Sequence, residues 1–369
     1  MLFVENKNIL YFTRTMGIGG TEKVVMQLCR YFNNKFNKII VCSNGGIHED
    51  ELQKLGIKHY KIDDIEDKNP IIIFKTLISL YKIIKNENID IVHTHHRMAA
   101  FYSEILNKLM NFKFIHTAHN TFHNKKTLTK FALNNAEIIA VGEKVKENLL
   151  ELYELDTDKI NVIYNGIEKY IGEISVVPEI KKFKDEGYFI VGNIGRLSKQ
   201  KGMEYYIKAI PESIKKYQKI KFYIIGDGED KLELIKLAKE LGIEDNVIFL
   251  GYRNDVINII KQLDLIVLSS LWEGLPLTPI EAFSEGKTII ATDVDGTSEI
   301  VKDNFNGILI ESKNSKEIAD SIVKLYNNKK FKEKLEDSAW QTYKCKFTLE
   351  NFVREYKLYY YAHVGRCIV

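Results

Sequence analysis

The chain has 369 residues, enough for two domains that each bury a core. Its 45% hydrophobic and 28% charged content is ordinary for a globular protein, and a formal net charge of +3 is too small to argue for nucleic acid. Four scattered cysteines, Cys29, Cys42, Cys345 and Cys367, make no Cys-x-x-Cys pair; this argues against zinc and disulfide frameworks and suits a reducing cytoplasm. Few apolar residues precede Glu5, so no signal peptide is expected, and no apolar run approaches the ~20 residues of a spanning helix.

Short β-branched runs alternate with longer amphipathic ones. Strands are expected at 8–13, 38–43, 89–95, 113–118, 137–142 and 161–164, with helices such as TEKVVMQLCRYF and GEKVKENLLELY between them. The rhythm breaks over 166–187 and then restarts, with strands at 188–195, 220–226, 246–251, 263–269 and 287–292. These runs are apolar on both faces, as in parallel sheets covered by helices on both sides. The reading is α/β, with two Rossmann-like doubly wound domains facing a central cleft. It places an N-terminal domain at 1–168, a linker at 169–187, a C-terminal domain at 188–345, and a last helix at 346–369 returning to the first domain. Ligands in such sheets sit beyond the carboxyl ends of the strands.

In chain order, the first motif is GIGGTEK (17–23), where Gly19 and Gly20 follow a strand and open a helix whose N–H groups suit an anion. It does not complete Gly-x-Gly-x-x-Gly, and a plain turn explains it equally well. Histidines cluster next: His93, His95 and His96, then His116, His119 and His123. A metal reading is opposed by strand alternation, which puts His93 and His95 on one face and turns His96 away. At least one of these rings is expected at a strand end facing the cleft. GNIGRLSKQKG (192–202) sets Arg196 and Lys201 on a loop after a strand, a planar fork and a point charge that suit a diphosphate. IIGDGED (224–230) is as well explained by a tight turn as by ligand contact.

The stretch LWEGLPLTPIEAFSEG (271–286) carries two glutamates. Thr278-Pro279-Ile280-Glu281 reads as a capping box with proline at the first helical position, a structural role that would account for Glu281 alone. Glu273 has no such role. It lies in a proline-stiffened loop beside Gly274 and Leu275, whose amides suit anionic oxygens while the carboxylate suits vicinal sugar hydroxyls. The triplets Asp156–Asp158 and Asp293–Asp295 are read as structural, Asp156 as a helix N-cap and Asp293 in a loop before a helix near Thr297.

Taken in order, these motifs resemble the retaining glycosyltransferases of the GT-B fold, family 4 type, over nearly the whole chain. GGTE resembles that family's N-terminal glycine loop, TAHN the strand end with its active-site histidine, VIYNGI its Asn-Gly segment, and GRLSKQKG its phosphate loop. EGLPLTPIEAFSEG resembles its Glu-x7-Glu signature, and DGTSEIV the segment that follows. Gly286-Lys287-Thr288 departs from the family's usual Gly-x-Pro, and Gly142 stands where a serine is frequent.

The resemblance implies transfer of a sugar from a nucleotide diphosphate sugar to an acceptor hydroxyl with retention, by a hexosyltransferase-type enzyme. The expected setting is polysaccharide or glycolipid synthesis at the cytoplasmic face. It implies that Arg196 and Lys201 hold the diphosphate, that Glu281 binds the ribose, and that Glu273 with Gly274 and Leu275 binds the transferred sugar and distal phosphate. Gly19 and Gly20 would approach the phosphates and His119 the donor sugar. No metal and no cofactor are expected, and a UDP-sugar is favoured over a GDP-sugar. The alternatives are a nucleotide-sugar epimerase of similar fold, a non-catalytic partner subunit, and, less consistent with the incomplete glycine loop, a dehydrogenase.

An anionic membrane surface is a further expected partner. Over 97–136, Arg97, Lys108, Lys113, Lys125, Lys126 and Lys130 stand against Glu104 alone, with Phe112, Phe114, Phe122 and Phe131 interleaved. The segment 71–85 has Lys75, Lys82 and Lys85 and no acid, but its apolar stripe is assigned to covering the sheet.

Overall fold

The computed structural model describes residues 4–122 and 124–364; His123 and Cys367 lie outside them, as does the end of the 346–369 segment. The chain divides into two compact units, Met1–Asn165 with Phe352–Val369, and Gly166–Asn351.

The first unit is built on strands β1 (Val4–Phe12), β2 (Phe36–Ser43), β3 (Lys58–Lys61), β4 (Ile91–Thr94), β5 (Lys113–Ala118), β6 (Glu137–Ala140) and β7 (Ile160–Val162). Every pairing is parallel, in the order β3-β2-β1-β4-β5-β6-β7. The second unit holds β8 (Phe189–Ile194), β9 (Ile220–Ile225), β10 (Val247–Gly251), β11 (Leu265–Leu268), β12 (Ile289–Thr292) and β13 (Ile308–Ile310). These too are all parallel, in the order β10-β9-β8-β11-β12-β13. The central strands are buried along their length because Ile, Val, Leu and Phe face helices on both sides: Ile9 to Phe12 and Leu265 to Val267 are fully inaccessible.

Both sheets reverse direction of growth at their first strand. β1 is flanked by β2 and β4, and β8 by β9 and β11. Each pair, β1/β4 and β8/β11, is therefore a topological switch point, where the outgoing loops diverge and leave a crevice above the strand ends.

Two strands escaped the sequence reading. β3, KHYK, is a half-exposed edge strand with alternating polar residues, and β13 has only three residues. The stretch 169–187, expected as a linker, carries ordered structure within the second unit. Val177 and Ile180 are buried, the helix Pro178–Asp185 lies within the second unit, and Tyr223 donates its hydroxyl to Glu179 O at 2.7 Å. The last helix, Leu349–Val364, belongs from Phe352 onward to the first unit. There Tyr360 bonds Tyr11 (3.2 Å) and His93 Nδ1 (2.7 Å).

Candidate active site

At the second unit's switch point, the loop after β8 closes in a short 3-10 turn, Lys199–Lys201, ended by Gly202 at φ 54°. A side chain at Gly202 would collide with Ser269 O, so glycine lets this loop lie against the end of β11. Three bonds tie the loops together. Asn193 Nδ2 donates to Ser269 Oγ (2.9 Å), Ser269 Oγ donates to Lys201 O (3.0 Å), and Leu271 N donates to Gln200 O (2.7 Å).

This scaffold brings Lys201 and Glu273 together. Lys201 Nζ lies 2.5 Å from Glu273 Oε1, which also accepts from Ser270 Oγ at 2.6 Å. Glu273 is 5% exposed, and its backbone N–H donates to Asp295 Oδ2 at 3.1 Å. Asp295 itself takes φ 38°, a left-handed conformation that side chains resist. The next residue, Gly296, packs so closely on Gly274 O that no side chain would fit. Ser270 and Asp295 were not singled out as site residues by sequence; the Asp293–Asp295 triplet was noticed but set aside as structural.

Arg196 is not drawn into this pair. Its side chain is 69% exposed and lies 3.5 Å from Glu229. The two loops that carry these residues interlock, with Leu197 N donating to Asp227 O and Asp230 N to Leu197 O, each at 3.0 Å.

The capping-box reading is corrected. The helix runs Leu277–Ser284 with Pro276 at its N-cap and no side-chain cap bond, so Thr278 and Pro279 lie inside it. The Thr278 hydroxyl turns instead to Ile194 O at 3.5 Å. Glu281, 4% exposed, lies more than a turn inside the buried helix, and capping does not account for it. Leu275, in the loop before this helix, is 5% exposed.

In the first unit the ends of β4 and β5 carry rings. Gly19, in extended conformation, caps the helix Gly20–Phe32 without a side-chain bond. The Glu22 carboxylate fills the space beside Gly19 and accepts from Thr15 Oγ1 at 2.6 Å. His95, just beyond β4, meets His119, just beyond β5, through a 3.0 Å contact between His95 Nδ1 and His119 Nε2. The two rings stack, and His93 lies tilted by 31° against His95 at 4.3 Å between centroids. His93 is occupied on both nitrogens, by Tyr360 and by Thr117 Oγ1 at 2.7 Å. His96 caps the helix Arg97–Asn107, accepting from Met98 N.

Burial keeps these imidazoles neutral. It holds His116 and His119 down to about 3, with neighbouring histidines adding to the effect, and His96 to about 4 despite the opposing charge of Glu66. His93 and His95 are likewise pushed well down by burial. His95 Nε2 is buried with no partner, so the His95–His119 bond is the one hydrogen bond of the His95 ring among the described residues.

Two parallel Rossmann-like sheets, each with polar groups at its switch point, define a protein of the GT-B fold. Residues 18–169 match the family model Glycosyltransferase Family 4, and residues 178–342 match Glycosyl transferases group 1. The UDP-Gal:alpha-D-GlcNAc-diphosphoundecaprenol alpha-1,3-galactosyltransferase of Escherichia coli is 30% identical over 341 residues, 85% of this chain and 86% of that one. The N-acetyl-alpha-D-glucosaminyl L-malate synthase of Bacillus anthracis is 25% identical over 76% of each chain. A glycosyltransferase structure from Rickettsia africae superposes with a TM-score of 0.82 at 25% identity, covering 98% of this chain and all of that one. HepE of Anabaena, solved with UDP-glucose, superposes at 0.83 with 19% identity, over 96% and 99% of the chains, a likeness of fold. The chain belongs to this family of glycosyltransferases, and its activity is sugar transfer.

Proposed function

We propose that the protein transfers a hexose-type sugar from a nucleotide diphosphate sugar, a UDP-sugar in preference to a GDP-sugar, to a hydroxyl of a glycan or lipid-linked acceptor, with retention. The observation that carries the reading is the buried Lys201–Glu273 pair at the β8/β11 switch point. A lysine held there by a carboxylate is a cation in waiting for a diphosphate. On the donor's arrival Lys201 and the exposed Arg196 turn to the phosphates. Glu273, released from the lysine, accepts hydrogen bonds from the sugar hydroxyls, and the amides of Gly274 and Leu275 face the distal phosphate. Glu281 takes the ribose hydroxyls. Gly19 and Gly20 allow the first unit's backbone to approach the phosphates, and neutral His119 hydrogen-bonds the sugar.

In the transfer the bond from the anomeric carbon to the leaving phosphate oxygen breaks, and a bond to the acceptor oxygen forms on the same face. The acceptor's proton passes to the leaving phosphate oxygen. The charge growing on that phosphate is met by Lys201 and Arg196, electrostatic catalysis that needs no metal. A lipid-linked acceptor is supported by the Escherichia coli relative, whose name specifies a diphosphoundecaprenol acceptor.

The test is a panel of UDP- and GDP-sugars, scored by thermal shift and by slow hydrolysis without acceptor, with proton NMR of the freed sugar. One UDP-sugar should both stabilise the protein and release a sugar of the donor's anomeric configuration. Release of the opposite anomer would refute retention. Interconversion of the donor without any acceptor would favour the epimerase.

A further inference from the structure

The helix Pro70–Asn86 does not spend all its apolar residues on the sheet. Asn69 caps it, accepting from Ile71 N, and Pro70 opens it. One face, Thr76, Leu80, Ile83 and Ile84, is buried. Another is left in solvent: Ile71 and Phe74 are each 65% exposed, Tyr81 41% and Ile78 38%. Positions 71, 74, 78 and 81 follow helical spacing, so these four large side chains form one stripe. Lys75, Lys82 and Lys85 are exposed on the same side, Lys85 reaching over the Tyr81 ring at 5.9 Å, and the helix contains no acid.

The competing basic region, 97–136, is largely compensated by acids that follow it in the chain. Lys126 and Lys130 both hold Glu154, at 2.6 and 2.8 Å, and Lys113 holds Glu137 at 3.1 Å. Lys108 lies over the Phe131 ring and near Glu104, and Arg97 over Phe122. Phe112 and Phe114 are buried. The sequence reading favoured 97–136 for the membrane and a core role for 71–85; the helix does bury one face, but its second, exposed face carries the less compensated cations.

We infer that the exposed face of Pro70–Asn86 docks on an anionic lipid leaflet, the helix lying in the interface with Ile71, Phe74, Ile78 and Tyr81 inserted and Lys75, Lys82 and Lys85 on the headgroups. Charge selects this occupant. The apolar stripe carries cations along its length, while Glu87 just past its end is neutralised by Lys38 and Lys58 at 2.8 and 2.7 Å. Of the acids in the loop before the helix, Arg14 binds Asp64 at 2.8 Å and Glu66 at 2.5 Å. Asp63 and Asp67 are left at the N-terminal end, so the half bearing Tyr81, Lys82 and Lys85 binds most strongly. An apolar partner protein would need no such cations, and a second copy would set three lysines against three. No helix among the described residues is long and apolar enough to cross a membrane, so the helix lies on the surface.

The test is sedimentation of the full chain with vesicles of phosphatidylcholine alone or with about a third phosphatidylglycerol, the sort of anionic surface that attracts basic segments. Binding should require the anionic lipid and fade with salt. Lys82→Gln and Lys85→Gln should each weaken it roughly fivefold, and Phe74→Ser with Ile78→Ser should abolish it. Melting temperature should be unchanged, because all four side chains are exposed. Equal recovery in the supernatant with both vesicle types overturns the inference, as does binding indifferent to these substitutions. A dimer lost in Phe74→Ser, without vesicle binding, would assign the face to a second copy instead. Vesicle binding needs no donor sugar, so failure here leaves the transferase reading standing.

Discussion

The strand ends of the two units solve different problems with different chemistry. At the β8/β11 switch point the polar groups are charged and short-tethered: Lys201, Glu273 and Asp295, locked by Ser270, Ser269 and Asn193. At the ends of β4 and β5 they are imidazoles, kept neutral by burial and packed against one another. A diphosphate needs cations that can be freed for it. Neutral rings can hydrogen-bond a hydroxyl without carrying a charge. The same fold, used twice, carries charged groups at one set of strand ends and neutral rings at another.

The largest expected effect falls on the charged side. Lys201→Ala should lower turnover on the order of a hundred- to a thousandfold, because it removes a cation from the leaving phosphate. It should also destabilise the fold, since Glu273 is left buried without its counter-ion. Adding Glu273→Gln to Lys201→Ala should recover much of that stability and none of the rate. Equal melting curves for wild type and both variants would show that the pair is an unimportant contact. Arg196→Ala, by contrast, should slow turnover without moving the melting temperature, as its side chain is exposed.

Next in size is Glu281→Gln. A lost hydrogen bond to a charged group costs about 1.5–3 kcal/mol, so UDP affinity should fall by roughly ten- to a hundredfold. The melting temperature without UDP should change less than the affinity does, since the substitution keeps the side chain's size and leaves the helix N-cap untouched. A variant that only melts earlier would return Glu281 to a structural role.

On the neutral side the effects are smaller and show in pH. With His119 held at about 3, it stays uncharged across an assay from pH 5 to 8, and no inflection in kcat/KM should trace to it. His119→Phe should cost about tenfold in kcat/KM, the value of a neutral hydrogen bond. Stability carries the sign of the burial. His96, His116 and His119 have folded values depressed below the ordinary 6.5, so unfolding takes up protons. Their contribution is complete above pH 6.5 and is lost as pH falls toward about 3. Melting temperature should drop through that window, and His116→Gln should flatten the drop. The smallest effect, none at all, is expected from EDTA; loss of activity restored by manganese would bring Asp293 and Asp295 into a metal site.

Much of this comparison was legible in the sequence because its parts are local. Long apolar runs ending in Gly-Arg, in Ser-Ser-Leu-Trp-Glu or in His-Thr-His-His mark strand ends, and strand ends are where such sheets bind ligands. Lys201 and Glu273 could each be picked out, but not their contact, which depends on β8 and β11 being neighbours across 72 residues of chain. Asp295 and His95 were missed as members for the same reason: their partners are loops apart in sequence. The capping box failed locally, since Thr278-Pro279 matches the pattern but the helix starts at Leu277, which puts Glu281 inside the helix. In 71–85 periodicity identified the apolar stripe that Leu80, Ile83 and Ile84 bury, but not that a second face carries large apolar side chains too.

The most direct test of the central claim is calorimetric titration of UDP and, separately, uridine into the wild type and Lys201→Ala. Uridine carries no phosphate, so its affinity should be the same in both proteins. UDP should bind the wild type more tightly than uridine does, and the substitution should remove tenfold or more of that advantage. UDP binding equally well to both proteins would contradict the account, because the cation at the β8/β11 switch point would then have no part in holding the donor.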